Sequence, residues 1–309
     1  VLTIVGIFFA RPALLLMKTP ADVVDDSAIY LQIYFGGIIF NLIYNMGASI
    51  LRAVGDSKRP LYVLIVTCIL NIVLDLFFVV AFHMGIVGVA IATVTSQVVS
   101  ALIVTGMLLK TREIYVLKIS RIRFDKRMLL SVLCIGIPAG LESVMYNISN
   151  IVIQVFVNNL GTDTVAAWGT LGKIDAIFWM VINAFAISIT TFVGQNFGAG
   201  KYHRMRKSVS VCMIMSMVSS AVMILLMYGG APWIYRLFTT DSAVIAHGVH
   251  MSRFLLPSYF VYVIIGILSG ALRGTGKVLV PMILTCGGVC SLRILWLFTA
   301  GQMYPGINT

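Results

Sequence analysis

Leu51-Arg52-Ala53-Val54-Gly55, followed by Pro60, lines up without a gap with Leu272-Arg273-Gly274-Thr275-Gly276, followed by Pro281, at an offset of 221 residues. An apolar stretch precedes each copy, and another follows each proline, Leu61 to Phe82 and Met282 to Met303. The chain is therefore built on a duplicated helix-loop-helix unit, and the similarity runs from Val1 to about Gly88.

The solvent of this unit is lipid. The 309 residues are 60% hydrophobic and 11% charged, with a mean hydropathy of +1.00, too much apolar surface for a soluble domain of that length. Stretches long enough to cross a bilayer, roughly 20 residues at 1.5 Å each, fall near 1–18, 28–50, 60–82, 85–109, 129–158, 164–194, 208–234, 246–270 and 280–303. Lipid offers no partner to an unpaired backbone group, and the runs do not alternate, so about nine transmembrane helices are predicted and barrel strands are excluded.

Most of the 22 Lys and Arg gather in alternate loops: Arg52, Lys58 and Arg59; Lys110, Arg112, Lys118, Arg121, Arg123, Lys126 and Arg127; Lys201, Arg204, Arg206 and Lys207; Arg273 and Lys277. By the positive-inside rule these loops are cytoplasmic. The loops between them carry Asp22, Asp25, Asp26, His83, Asp163 and Asp241. The net charge of +11 thus reports topology and an affinity for anionic headgroups. No nucleic-acid partner is expected, because the cations are dispersed between spans.

Six helices separate equivalent points of the copies, an even number, so both halves cross in the same direction. That is the parallel-repeat plan of many secondary transporters. The predicted fold is an all-α integral membrane protein of two parallel, pseudo-repeated six-helix lobes. Residues 1–109 form an incomplete N-terminal lobe, 110–128 a cytoplasmic basic linker, and 129–309 the C-terminal lobe. Extending the repeat in both directions predicts two helices and part of a third before Val1, on the order of 100 residues, and one helix after Thr309.

A carboxylate at membrane depth is expensive and is a functional candidate by default. Asp75 lies about 22 Å from the cytoplasmic end of its span, and Thr93 lies about 12 Å below the outer surface on the next. Asn71 is one turn before Asp75 on the same face. A carboxylate, an amide and a hydroxyl suit a small alkali cation, or a protonatable acid with hydrogen-bonding neighbours. The competing reading is interhelical hydrogen bonding that only packs the bundle.

The positions 221 residues beyond Asn71 and Asp75 hold Leu292 and Trp296, so this chemistry is not duplicated. The second half instead carries Glu142, Lys173, Asp175, Arg253 and Arg293 in its spans. Glu142 and Arg293, each about 18 Å deep, are expected either to form a structural pair or to line a substrate cavity with Lys173, Asp175 and Tyr146. Further aromatic candidates for that cavity are Tyr34, Tyr44, Phe156, Phe178 and Trp179. Pro138 and Pro257 are expected to act as hinges.

Other chemistry is thin. There is no G-x-x-x-x-G-K-[ST] run, so ATP is not expected to drive the chain. Cys68, Cys134, Cys212, Cys286 and Cys290 read as small hydrophobes, and no metal cluster or nucleophile-base pair has workable spacing. No enzymatic activity is expected.

Three motifs together resemble a known family: Leu51 through Pro60, Gly136-Ile137-Pro138-Ala139-Gly140, and Val193-Gly194-Gln195-Asn196-Phe197-Gly198-Ala199-Gly200. They are similar to the multidrug and toxic compound extrusion (MATE) transporters, from that family's third helix through its eleventh. The resemblance implies two six-helix lobes around a central cavity in the plasma (inner) membrane. It also implies antiport of drug-like or metabolite organic compounds, cationic ones among them, against Na+ or H+, with no other cofactor. The spacing of Asn71, Asp75 and Thr93 matches the cation site of one branch, whose remaining ligand is an Asp on a first helix absent from this sequence. Two alternatives stand beside it, a lipid-linked saccharide flippase of the same superfamily and a non-transport membrane assembly protein. The flippase would line its cavity with unpaired cations and would not need the Asn71, Asp75 and Thr93 set.

Overall fold

The computed structural model describes residues 2–16 and 21–303. Every regular element among them is helical. The helices are α1 (Leu2–Leu16), α2 (Ala21–Ala53), α3 (Lys58–Leu76), α4 (Gly85–Lys110), α5 (Lys126–Asn158), α6 (Thr162–Gly198), α7 (Tyr202–Arg236), α8 (Ser242–Leu255), α9 (Tyr259–Gly274), α10 (Leu279–Ile283) and α11 (Ser291–Met303). Eight helical segments among the described residues are long and apolar enough to cross a membrane. Of the nine predicted spans, the first is described only as the shorter apolar helix Thr3–Leu16, and residues 17–20 after it lie outside the described residues.

The quoted motif shows why the duplication survives. Gly55 and Gly276 both have left-handed backbone, φ 91° and 81°. In the first copy the amide of Gly55 donates to Arg52 O (2.9 Å) and that of Asp56 to Leu51 O (2.9 Å); in the second, Gly276 donates to Arg273 O (2.9 Å) and Lys277 to Leu272 O (3.1 Å). These paired bonds are a Schellman ending, which consumes the last carbonyls of the helix and needs a residue tolerant of positive φ after it. A third ending of the same form closes α6 at Gly200, with Lys201 N donating to Asn196 O at 2.8 Å.

The chain separates into two compact units between Arg123 and Phe124. In the first, α1 lies on α2, and α2 and α3 both pack on α4. Leu51, Val63, Val104 and Leu108 form its buried cluster. Residues after Lys110 fold back on that cluster through Tyr115 and Leu117, whose amide donates to Leu108 O (2.9 Å).

In the second unit, α6 and α9 run parallel and touch through small residues. A Cβ on Gly270 would sit 2.8 Å from Ala186 O, and one on Gly274 would sit 2.6 Å from Thr190 O. Gly266, Gly270 and Gly274 recur every fourth residue, facing Ile182, Ala186 and Thr190 at the same period. Such small-residue stripes let helix backbones approach closely where lipid gives no hydrophobic drive to associate. Thr190 Oγ1 adds a bond across the seam to Gly270 O at 2.9 Å.

Three segments depart from α-geometry. Pro257 lies in a 3-10 turn, Leu256–Ser258, that separates α8 from α9 within one span. Wide π-type turns occupy Phe77–Ala81, directly after α3, and Leu284–Cys290, between α10 and α11. Pro138 is buried inside α5, whose helix continues through it.

Gly274→Ala should destabilise the protein by about 1–3 kcal/mol, the usual cost of overpacking a tight contact. Gly169→Ala, where a Cβ meets open space within α6, should be neutral or slightly stabilising. Thermal unfolding of the two variants in detergent would check this, and equal melting temperatures would dismiss the seam as a constraint.

Candidate functional site

In the first unit, unsatisfied polar atoms gather on α3 and α4. Asn71 Nδ2, Asp75 Oδ1, Ser96 Oγ and Gln97 Oε1 are buried without a hydrogen-bond partner. Buried polar groups are almost always paired, so four orphans on two packed helices need an explanation. Counted from Lys58 and Lys110, Asn71 and Gln97 each lie about 20 Å along their helices, and Asp75 and Thr93 about 25 Å. Thr93 Oγ1 donates to Val89 O one turn back (2.9 Å), which leaves its lone pairs available. Gln97 is one turn beyond Thr93 on α4, on the same face.

The set can present a carboxylate, a hydroxyl and the Gln97 amide oxygen, and a half-turn of the Asn71 amide would add a fourth oxygen. Such donors fit a small hard cation. They equally fit a proton held on Asp75 with neutral hydrogen-bonding neighbours. Gln97 was missed in the sequence because an amide near mid-helix carries no charge to flag it, although its spacing from Thr93 was a readable signal.

In the second unit, the expected cavity residues resolve into separate places. Glu142 is paired with Arg273, whose Nη2 reaches Oε1 and Oε2 at 2.7 and 2.8 Å, and not with Arg293 as the depth count suggested. The reason is helix length. At 33 residues, α5 is about 50 Å long and overshoots a hydrocarbon core of about 30 Å. A residue count along so long a helix does not fix the depth of Glu142, because the overhang can lie at either end. Glu142 sits level with the end of α9, where Arg273 occupies the last turn. Arg273 is the counterpart of Arg52, which bonds to Ser49 Oγ at 3.1 Å.

Arg293 instead lies over the Tyr146 ring, 5.9 Å from its centroid, with Nη1 3.5 Å from Asn150 Oδ1. Asp175 accepts a hydrogen bond from Tyr259 OH, and its Oδ1 is buried without a partner. Trp179 packs on Tyr259 (5.5 Å) and on Tyr262 (5.6 Å). Lys173, though two residues from Asp175, stands over Phe238 at 5.7 Å. Arg253 stands over Tyr228 at 5.5 Å. Phe178, a candidate for the cavity wall, is fully buried in the cluster with Tyr259 and Val263 and is a core residue.

Comparison with known proteins agrees with this architecture. The MatE family model matches residues 1–77 and 138–299. Two relatives from Bacillus subtilis (strain 168) are similar along almost the whole chain. The probable multidrug resistance protein YoeA is 29% identical over 95% of this chain and 65% of its own length, and the probable multidrug resistance protein YpnP is 30% identical over 98% and 68%. Among solved structures, a MATE in the bent conformation superposes with a TM-score of 0.83 at 22% identity, over 92% of this chain and 63% of that one. An outward-facing multidrug resistance MATE family transporter of the MOP superfamily gives 0.87 at 21% identity, over 96% and 68%. The chain is an integral, multi-pass membrane protein and belongs to the MATE family. It spans about two thirds of the length of these relatives.

The ion pair makes a distinct prediction. Glu142→Gln should lower stability by about 1–3 kcal/mol, the cost of leaving a charged hydrogen-bond partner unmatched. Glu142→Gln with Arg273→Gln should recover part of it, while Arg293→Met should show no such coupling to Glu142. A double-mutant cycle on melting temperature reads both, and coupling of Glu142 to Arg293 in place of Arg273 would refute the assignment.

Proposed function

We propose that this chain works in a secondary active exporter in the plasma (inner) membrane. On this reading it moves drug-like or metabolite organic compounds out of the cell in exchange for Na+ or H+. The observation that carries the reading is the group of orphaned polar atoms at Asn71, Asp75 and Gln97. Asn71, Asp75 and Gln97 lie at similar depth on two packed helices and none of these atoms bonds to another, whereas the Glu142 carboxylate is matched by Arg273.

In this mechanism Asp75 supplies the charge, and Asn71, Thr93 and Gln97 supply neutral oxygens around it. A proton or a small cation neutralises Asp75, so the loaded and empty sites differ by one charge at membrane depth. That difference biases which conformation is favoured, by no more than the difference in binding energy between the two states. The flippase reading is less well supported, because Lys173, Arg253, Arg273 and Arg293 each engage an aromatic ring or a polar group. A cavity built to hold anionic sugar phosphates would keep such cations unpaired.

Asp75→Asn should leave the fold intact and abolish efflux driven by an imposed sodium or proton gradient. Thr93→Ala and Gln97→Leu should weaken coupling by about fivefold, since each removes one neutral hydrogen-bonding group worth about 1 kcal/mol. Asn71→Ala should behave the same way. Fluorescent-substrate efflux from cells with a controlled gradient is the measurement. Wild-type pumping by Asp75→Asn would return this cluster to a packing role.

A further inference from the structure

Antiparallel helices α6 and α7, joined by the turn at Ala199–Lys201, leave between them a groove of about 520 Å³. Its walls are apolar, built from Phe185, Ile189 and Phe192 on one side and Val211 and Met215 on the other. Those positions recur at intervals of three and four, so each helix contributes one continuous face. From Arg204 to Met215 the groove rises about 16 Å along α7. That is half of a hydrocarbon core about 30 Å thick, hence one leaflet.

The polarity of the groove is concentrated at one end. Arg204 and Lys207, one turn apart on α7, line it beside the basic turn. Both are exposed, and neither forms an ion pair among the described residues. The first turn of α7 carries no acidic residue. Ser208 beside the mouth and Ser188 deeper in donate to carbonyls of their own helices, Met205 O and Ala184 O, both at 2.7 Å. No buried charge interrupts the slot toward Met215.

An apolar slot one leaflet long, with two cations at its aqueous end, is complementary to an anionic phospholipid. We propose that the groove between α6 and α7 binds such a lipid from the leaflet facing the basic loops. One acyl chain lies along Ile189, Val211 and Met215, and the headgroup phosphate sits between Arg204 and Lys207. A zwitterionic lipid brings its own ammonium to the same two cations and gains less. An organic cation is repelled at the mouth, which separates this groove from any route taken by such a substrate. The site differs from general attraction to an anionic surface because it uses the two cations that line the slot, and not the neighbouring Arg206.

The experiment is native mass spectrometry of the detergent-purified protein titrated with phosphatidylglycerol or phosphatidylcholine. Phosphatidylglycerol should bind more tightly. Arg204→Ala with Lys207→Ala should cost about 30-fold, from about fivefold per cation near a membrane surface, and weaken phosphatidylcholine binding by much less. Arg206→Ala should change affinity by less than about twofold, as expected for a screened, indirect charge. Ser188→Trp, at an exposed position inside the slot, should block phosphatidylglycerol while leaving the melting temperature unchanged. Equal affinity for the two lipids would overturn the proposal, as would an Arg206→Ala loss equal to that of Arg204→Ala. Undiminished binding to Ser188→Trp would overturn it too.

Discussion

The backbone-to-backbone seam of α6 and α9 sets the geometry of the second unit. In lipid, two helices gain nothing by hiding apolar side chains from their surroundings, so association must come from close packing and specific bonds. Gly270 and Gly274 provide the approach, and Thr190 bonds across it. The residue pairs 186 and 270, and 190 and 274, share an offset of 84, and the hydrogen bond from Tyr259 to Asp175 has the same offset. A seam locked at one end thus brings the Asp175 carboxylate to its phenol partner at the other. A slip of one residue would turn Tyr259 by about 100° and leave a carboxylate unaccompanied in a low-dielectric interior.

Both units leave buried side-chain atoms without a partner, Ser149 Oγ, Asp175 Oδ1, Ser220 Oγ and Arg273 Nε in the second among them, but they place their charges in different company. In the second, Glu142 meets a guanidinium, and the cations of the spans rest on aromatic rings or amides. In the first, Asn71, Asp75 and Gln97 expose unpaired atoms to one another's neighbourhood. A satisfied network stiffens a bundle, whereas an unsatisfied one keeps a high free energy that a small ligand can lower.

Much of the fold was legible in the sequence because lipid leaves few options. Helical runs, their approximate ends and the repeat could be read from hydropathy, basic loops and the Gly55 and Gly276 motifs. Side-chain partnerships were less legible. Depth alone left Glu142 either beside Arg293 or on a cavity wall, and its actual partner, Arg273, lies on a helix that a residue count cannot place against α5. Arg273 was read only as a marker of the basic side. Gln97 and Tyr259 escaped notice because neutral polar groups in helices have no signature until a neighbouring helix is placed against them. Asn71, Asp75 and Thr93 could be singled out since charge and i, i+4 spacing are properties of one helix at a time.

The wide turns break the duplication in a way that alignment alone conceals. In the second copy the π segment ends at Cys290, before Leu292 and Trp296; in the first it begins at Phe77, after Asn71 and Asp75. A wide turn holds about one extra residue, which rotates everything beyond it by about 100° until a compensating irregularity is reached. Aligned positions in this window therefore point along different bearings. Leu292 and Trp296 are 65% and 57% exposed, while Asn71 and Asp75 are half-buried. An ancestral pair of identical helices could thus diverge in role without any insertion visible in the aligned sequence. Asn and Asp placed at 292 and 296 would occupy an exposed helix face, so the asymmetry of the two halves resides in helix rotation as well as in residue identity.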